Sequence, residues 1–218
     1  MTSTLTDGPV AAALSRMYAD SDAQGRSVWS NIDRGVFENG TAQQRADAAD
    51  EIYMPISRDA GTLMYSLIRA ASPQTVVEFG MSYGISTIHL AAAVRDNGTG
   101  HVYTTELSAK KIAVATATFA ELGLDDVVTV LEGDALVTLR DVPAPVGVVL
   151  MDGWKEMYLP VLDVLEPKLV AGSLVVADNT SRADTQPYLD RVRDPANGYV
   201  SLNFPGKGDD TMELSCRV

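Results

Sequence analysis

The chain of 218 residues has a single cysteine and only two histidines. One cysteine, Cys216, cannot close an internal disulfide, and in an expected C-terminal strand it reads as a small core-facing residue. His89 falls within a helix and His101 opens a strand. With no partner pattern around them, both read as structural. No apolar run is long enough to span a bilayer, and Met1 to Pro9 lacks the basic-then-apolar order of a signal peptide. Low-complexity tracts and internal repeats are missing too. Basic residues are outnumbered, 17 against 29 acidic, for a formal net charge of −12. That balance argues against a duplex nucleic-acid surface, where Lys and Arg neutralise phosphate. These absences point to a cytoplasmic protein with no membrane and no nucleic-acid partner.

Hydrophobic residues make up 46% of the chain, enough for one sizeable core. A single domain over residues 1–218 is expected, with a helical region at 1–50 and the main body at 51–218. Ala11 to Asp50 reads as two or three short helices with polar breaks, Thr41 capping one of them. Ser57 to Ala71 follows as a helix with Leu63, Met64, Leu67 and Ile68 on one face.

From Thr75 the pattern becomes strand–helix alternation. Strands are expected at Thr75–Phe79, Val102–Thr105, Val127–Leu131, Val146–Met151 and Leu174–Ala177. The intervening helices run from beyond Gly80 through about Arg95, from about Ser108 to Leu122, briefly after Gly133, and from about Lys155 to Leu169. A helix near Thr185 to Arg193 precedes two strands, Tyr199–Phe204 and Met212–Val218, joined as a hairpin by a polar loop. This predicts an α/β fold: a Rossmann-like, doubly wound, seven-stranded sheet, mostly parallel with a C-terminal antiparallel hairpin strand, and helices on both faces. Ligands of such sheets sit beyond the carboxyl ends of the strands, so the residues there carry the functional reading.

After the first strand comes Glu78-Phe-Gly80-Met-Ser82-Tyr-Gly84, a glycine turn without the dinucleotide spacing, since Ser82 stands at the second glycine position. Glu78 would repel a pyrophosphate and suits an ammonium group. Glu106, after the second strand, can accept from ribose hydroxyls or sit at a helix N-terminus. Asp134 can accept from an adenine amino group or cap a helix, with a backbone contact from Ala135 beside it. The fourth and fifth strands end in Asp152-Gly-Trp154-Lys155 and Asp178-Asn179. Neighbouring strand ends bring Asp152, Asp178 and Asn179 together as a hard-oxygen site suited to Mg²⁺, with Mn²⁺ and Ca²⁺ served by the same ligands. Two oxygens of a vicinal diol and one water would complete the octahedron, which favours a catechol-type substrate. Helix capping by each acid is the plainer alternative. Lys155, three residues after Asp152, can take a proton from a hydroxyl, its ammonium form being disfavoured near a metal ion. Trp154 is either a wall for a flat ring or part of the core.

These residues resemble the catechol O-methyltransferase family of class I, S-adenosylmethionine-dependent enzymes. The resemblance runs from about Tyr53 to the C-terminus. It is carried by Val76-Val-Glu-Phe-Gly80-Met-Ser-Tyr-Gly-Ile-Ser86, Glu106, Asp152-Gly-Trp-Lys-Glu-Met-Tyr-Leu-Pro160 and Ala177-Asp-Asn179. It implies S-adenosylmethionine and Mg²⁺ as cofactors, Asp152, Asp178 and Asn179 as metal ligands, and Lys155 as general base. It also implies Glu106 on the ribose, Ser86 on the methionine carboxylate and Glu78 by the methionine amino group. Met54 and Ile56 would border cofactor and substrate; Gly80, Ser82, Asp152 and Trp154 are placed with the cofactor. Gly153 stands where the mammalian enzymes carry a histidine, and Asn203 is the nearest match to their hydroxyl-holding glutamate. Residues 51–218 then form the cofactor-binding core and 1–50 a substrate lid. The expected partner is a small hydroxylated aromatic molecule, and the acidic surface is compatible with a homodimer. Phenolic acids, hydroxyanthranilates and flavonoids are alternative substrates. A nicotinamide-dependent oxidoreductase and a non-catalytic binding module are the readings from other classes.

Overall fold

Residues 3–25, 28 and 33–218 are described in the structure, a computed structural model. The N-terminal region opens with α1 (Gly8–Gln24), α2 (Arg34–Asn39) and α3 (Ala42–Ala48). Instead of a run of short helices, the first is 17 residues long, begun by the Asp7 side chain and Pro9 and ended at Gly25, φ +60°. The polar run Asp20-Ser21-Asp22 does not interrupt it. It lies on the helix's solvent side, where polar residues are tolerated. Residues 26–27 and 29–32 of the expected helical stretch lie outside the described residues.

Next come α4 (Arg58–Ala71), β1 (Thr75–Phe79), α5 (Ile85–Asn97), β2 (His101–Glu106), α6 (Ala109–Glu121) and β3 (Val128–Glu132). The second half holds α7 (Ala135–Thr138), β4 (Val146–Met151), α8 (Tyr158–Leu165), β5 (Leu169–Ala177), α9 (Gln186–Arg193), β6 (Tyr199–Pro205) and β7 (Thr211–Arg217). Among the described residues the seven strands make one sheet in the order β3-β2-β1-β4-β5-β7-β6, with β7 antiparallel to both its neighbours. The chain winds outward from β1 in one direction and from β4 in the other, so the switch point lies between those two strands.

Alternation along the central strands feeds two cores. Val76, Val148, Leu150 and Val176 pack beneath α1, α4, α5 and α6. Val77, Phe79, Val149, Met151 and Val175 face α8 and α9. Helix α5 is buried without interruption from Ile85 to Val94, so no polar stripe marks it in sequence. Gly61 of α4 lets it pack closely, because a Cβ there would meet the His89 ring at 2.6 Å. His89 is thus a core residue, its ring Nδ1 2.9 Å from the Ile85 carbonyl.

The boundary between the helix after β4 and the next strand differs most from the sequence expectation. The helix after β4 stops at Leu165, and a 3-10 turn over Glu166–Lys168 leads into β5 at Leu169. Pro167 explains this, since its ring cannot continue an α-helix beyond the first turn. The strand pairing then slips between Val146 and Val148, where Gly172 adopts φ +89° on the opposite strand.

Candidate active site

The register of the central strands sets the site. Phe79 lies beside Met151, and Met151 beside Ala177. The ladder continues one residue further, with the Asp152 N–H donating to Phe79 O (2.8 Å) and the Asp178 N–H to Met151 O (3.0 Å). Asp152 and Asp178 therefore leave neighbouring strands at the same level.

The first turn needs unusual backbone. Gly80 and Gly84 have φ of +98° and +89°, and Ser82 has φ +50°. A Cβ on Gly80 would lie 2.7 Å from the Gly153 backbone, and one on Gly153 would lie 2.5 Å from the Phe79 ring. That contact accounts for glycine at 153. Glu78 is fully buried and accepts from the Thr87 and Thr104 hydroxyls, each at 2.5 Å. Burial raises its pKa, while the Ser86, Thr104 and Thr87 hydroxyls oppose the rise. Its Oε1 makes no hydrogen bond, and neither does the buried Ser82 hydroxyl. An orphaned carboxylate oxygen and an orphaned hydroxyl in one turn are matched by a zwitterionic amino-acid moiety, which brings a donor for the first and an acceptor for the second.

Glu106 reaches back to the same turn. Its Oε2 accepts from the Ser82 N–H (2.8 Å), and its Oε1 from the N–H groups of Leu107 and Ser108. Asp134 caps α7 by accepting from the Leu136 N–H (2.8 Å) and stays exposed, while Ala135 is buried. Tyr53, Met54 and Pro55 close over Met81, Ser82, Tyr83, Ile85 and Ser86, leaving a cavity of only about 10 Å³. That is room for about one water. Ile56 is packed in the core at 1% exposure and offers no surface to a substrate in this arrangement.

At the other half, the Lys155 Nζ donates to Asp152 Oδ1 (3.2 Å) and to the Tyr158 hydroxyl (2.9 Å). The Tyr158 hydroxyl is in turn 2.7 Å from Met151 O and 2.9 Å from Asp178 O, the carbonyls of both strand ends. Tyr158, given no role from sequence, fixes the lysine between the two aspartates. Burial pushes the Asp152 carboxyl up to about 8, with Lys155 lowering it and Asp178 and Glu78 raising it. Asp178 is also raised, first by burial. Two buried carboxylates with raised pKa values favour a bound cation. No group of three or more His, Cys, Asp or Glu side chains is arranged for a metal among the described residues. The donor set is two carboxylates and an amide, which suits a hard cation that retains water. Trp154 packs against the N-terminal helices, edge-on to Phe37 of α2 at 5.9 Å with the guanidinium of Arg45 in α3 4.7 Å from its ring centre.

The hairpin is arranged differently from the sequence expectation. The Asn203 amide donates to Thr180 Oγ1, to Met212 O and to Glu213, the last also accepting from Arg193 Nε and Nη2. It lines a separate cavity of about 380 Å³ with Arg193, Tyr199 and Glu213. The hairpin residue that reaches Asn179 is Asp210, whose Oδ2 accepts from the Asn179 Nδ2 at 3.1 Å. Burial works against the charged form of Asp210, but donors from Ser181, Thr211 and Asn179 prevail and lower its pKa.

A doubly wound sheet with a terminal antiparallel hairpin, a glycine turn and an acid at the end of β2 defines the class I methyltransferase fold. A family model described as a methyltransferase domain matches residues 77–180. Catechol O-methyltransferase B of Danio rerio is 26% identical over 174 residues, covering 74% of this chain and 65% of its own. The catechol O-methyltransferase of Mycobacterium tuberculosis is 30% identical over 138 residues, 63% of this chain and 62% of its own. The crystal structure of cofactor-bound Rv0187 from MTB superposes with a TM-score of 0.68 at 25% identity, covering 84% of this chain and 93% of that one. The chain thus carries a methyltransferase domain and is similar to catechol O-methyltransferases. Its match spans somewhat less than two thirds of both curated relatives named above.

Proposed function

We propose that the protein transfers the methyl group of S-adenosylmethionine to a hydroxyl of a catechol-like small molecule. In this reading residues 51–218 bind the cofactor, and the helices before Glu51 form a lid over the substrate. The observation that carries it is the join of Asp152, Asp178 and Asn179 at one edge of the sheet, with the Lys155 amine 3.2 Å from Asp152. Asp152, Asp178 and Asn179 would hold a divalent cation, Mg²⁺ by preference. When bound, such an ion supplies a positive charge that holds vicinal oxygens and acidifies a hydroxyl.

This chain's own groups do the rest. Glu78 and Ser82 hold the amino-acid end of the cofactor, and Glu106 its ribose. Trp154 walls the ring, steadied by Phe37 and Arg45. Lys155, fixed by Tyr158, receives the hydroxyl proton as the oxygen takes the methyl from sulfur. The products are a methyl ether and S-adenosylhomocysteine. Most of the acceleration then comes from alignment and preorganised charge.

A second reading keeps fold and cofactor but takes another hydroxylated aromatic, such as a phenolic acid. Arg45 at the Trp154 rim favours it: one arm is paired with Glu156, but its Nε has no partner among the described residues and suits an acidic ring substituent. Methyl transfer to a panel of catechols, acidic diols and monophenols, with Mg²⁺ and with a chelator, tests both. Turnover of diols that chelation abolishes supports the proposal. Equal turnover after chelation, or a good monophenol substrate, overturns the cation's role.

A further inference from the structure

We infer that Asp210 is a positioning residue that sets which end of the Asn179 amide is offered to the cation, an inference that rests on the metal site proposed above. A carboxylate only accepts hydrogen bonds, so the group facing Asp210 Oδ2 at 3.1 Å has to be the NH₂ of Asn179. By the covalent geometry of an amide, its carbonyl oxygen is then turned away from Asp210 and left available as a hard ligand. With the amide reversed, the site would receive an NH₂ group, which cannot bind a cation.

Asp210 is itself firmly held. Its Oδ1 accepts from the Ser181 N–H (3.1 Å), the Ser181 hydroxyl (2.5 Å) and the Thr211 N–H (2.8 Å). Two further bonds stitch the same turn to the hairpin: the Thr180 N–H to Thr211 O (2.8 Å), and the Thr180 and Thr211 hydroxyls to each other (2.9 Å). Asn179 meanwhile has φ +55°, a left-handed conformation that asparagine tolerates better than most residues. The hairpin thus acts as a jig for the ligand-bearing turn, with Asp210 as its contact point.

Asp210→Asn separates orientation from scaffolding. Its single oxygen can keep the three donors of Ser181 and Thr211, which puts its NH₂ opposite Asn179 and reverses that amide. The Mn²⁺ affinity of the full chain, read from the signal of free Mn²⁺, should fall about 10- to 100-fold, the range for lost supporting contacts to a ligand. Affinity for S-adenosylhomocysteine and the thermal midpoint in chelator should stay near wild type. Asp209→Asn, which removes the same charge one residue away, should do much less. Asn179→Asp combined with Asp210→Asn should recover Mn²⁺ binding, because a carboxylate has no wrong way round. An Asp210→Asn protein with wild-type Mn²⁺ affinity, or one no weaker than Asp209→Asn, overturns the inference. A wild-type chain that binds no Mn²⁺ overturns the metal site, and the inference with it.

Discussion

The two halves of the sheet's carboxyl edge are built on different principles. On the β1–β2 side, ligand geometry comes from the backbone: three left-handed residues at Gly80, Ser82 and Gly84, with Glu106 tied to the Ser82 N–H. On the β4–β5 side it comes from side chains: two buried carboxylates, an amide and a lysine, aligned by strand register and braced by Tyr158 and Asp210. The first half is shaped before anything binds and leaves two polar atoms unanswered. The second concentrates like charge, which its surroundings resist. A neutral change in the second half should therefore alter turnover and pH response, whereas one in the first should alter cofactor affinity.

The largest effect should come from Lys155→Ala. Removing a proton acceptor costs about 10²- to 10⁴-fold in kcat. Cofactor affinity, measured by calorimetry, should be unchanged, because among the described residues the Lys155 amine hydrogen-bonds to Asp152 and Tyr158. Turnover within a few-fold of wild type would take the lysine out of the mechanism. Glu78→Gln acts on the other half. It keeps the shape but loses the charge facing an ammonium, so cofactor affinity should drop about 10- to 100-fold, since a bond to a charged group is worth about 1.5–3 kcal/mol. Stability should hold or rise, because the buried charge goes as well. Unaltered cofactor affinity would refute the ammonium contact.

Asp152 gives the comparison a pH axis. Below about pH 4 it is protonated both folded and unfolded. Above that, the unfolded chain ionises while the folded one keeps its proton up to about 8. The stability that protonated Asp152 confers is thus full in acid and lost as pH rises through that window. In chelator, the thermal midpoint should fall between about pH 5 and 8, by about 2–4 °C for each kcal/mol. Asp152→Asn or saturating Mg²⁺ should flatten the slope. Identical slopes for the variant and the wild type would remove Asp152 as its source.

The two halves also differed in how far sequence exposed them. Strand and helix order was readable because β1 and β4 are short β-branched runs bounded by turn residues, and the glycine turn and both Asp-containing strand ends follow such runs directly. Asp210 was not, since it precedes a strand. A rule that looks after strands misses it, because β7 is antiparallel and its amino end lies at the sheet's carboxyl edge. Asn203, read as the nearest match to a hydroxyl-holding glutamate, is in the same hairpin, and its amide is engaged with Thr180, Met212 and Glu213. Tyr158 went without a role because a tyrosine inside an apolar helix reads as core. It is core, and its one polar atom also locks the lysine.

The smallest effect should arise where the halves meet. Gly80 and Gly153 are in backbone contact, so the β1 turn and the β4 turn share a seam. Gly153→Ala puts a methyl 2.5 Å from the Phe79 ring, which has to shift within a core that also holds Met151 and Tyr158. Overpacking of this kind costs about 1–3 kcal/mol of stability. If the seam transmits geometry, affinity for S-adenosylhomocysteine and for Mn²⁺ should weaken together by less than about tenfold, while Lys155-dependent turnover persists. Were only the cofactor to bind more weakly, the seam would belong to the backbone-built half, and the carboxylate half would be braced by Tyr158 and the hairpin alone.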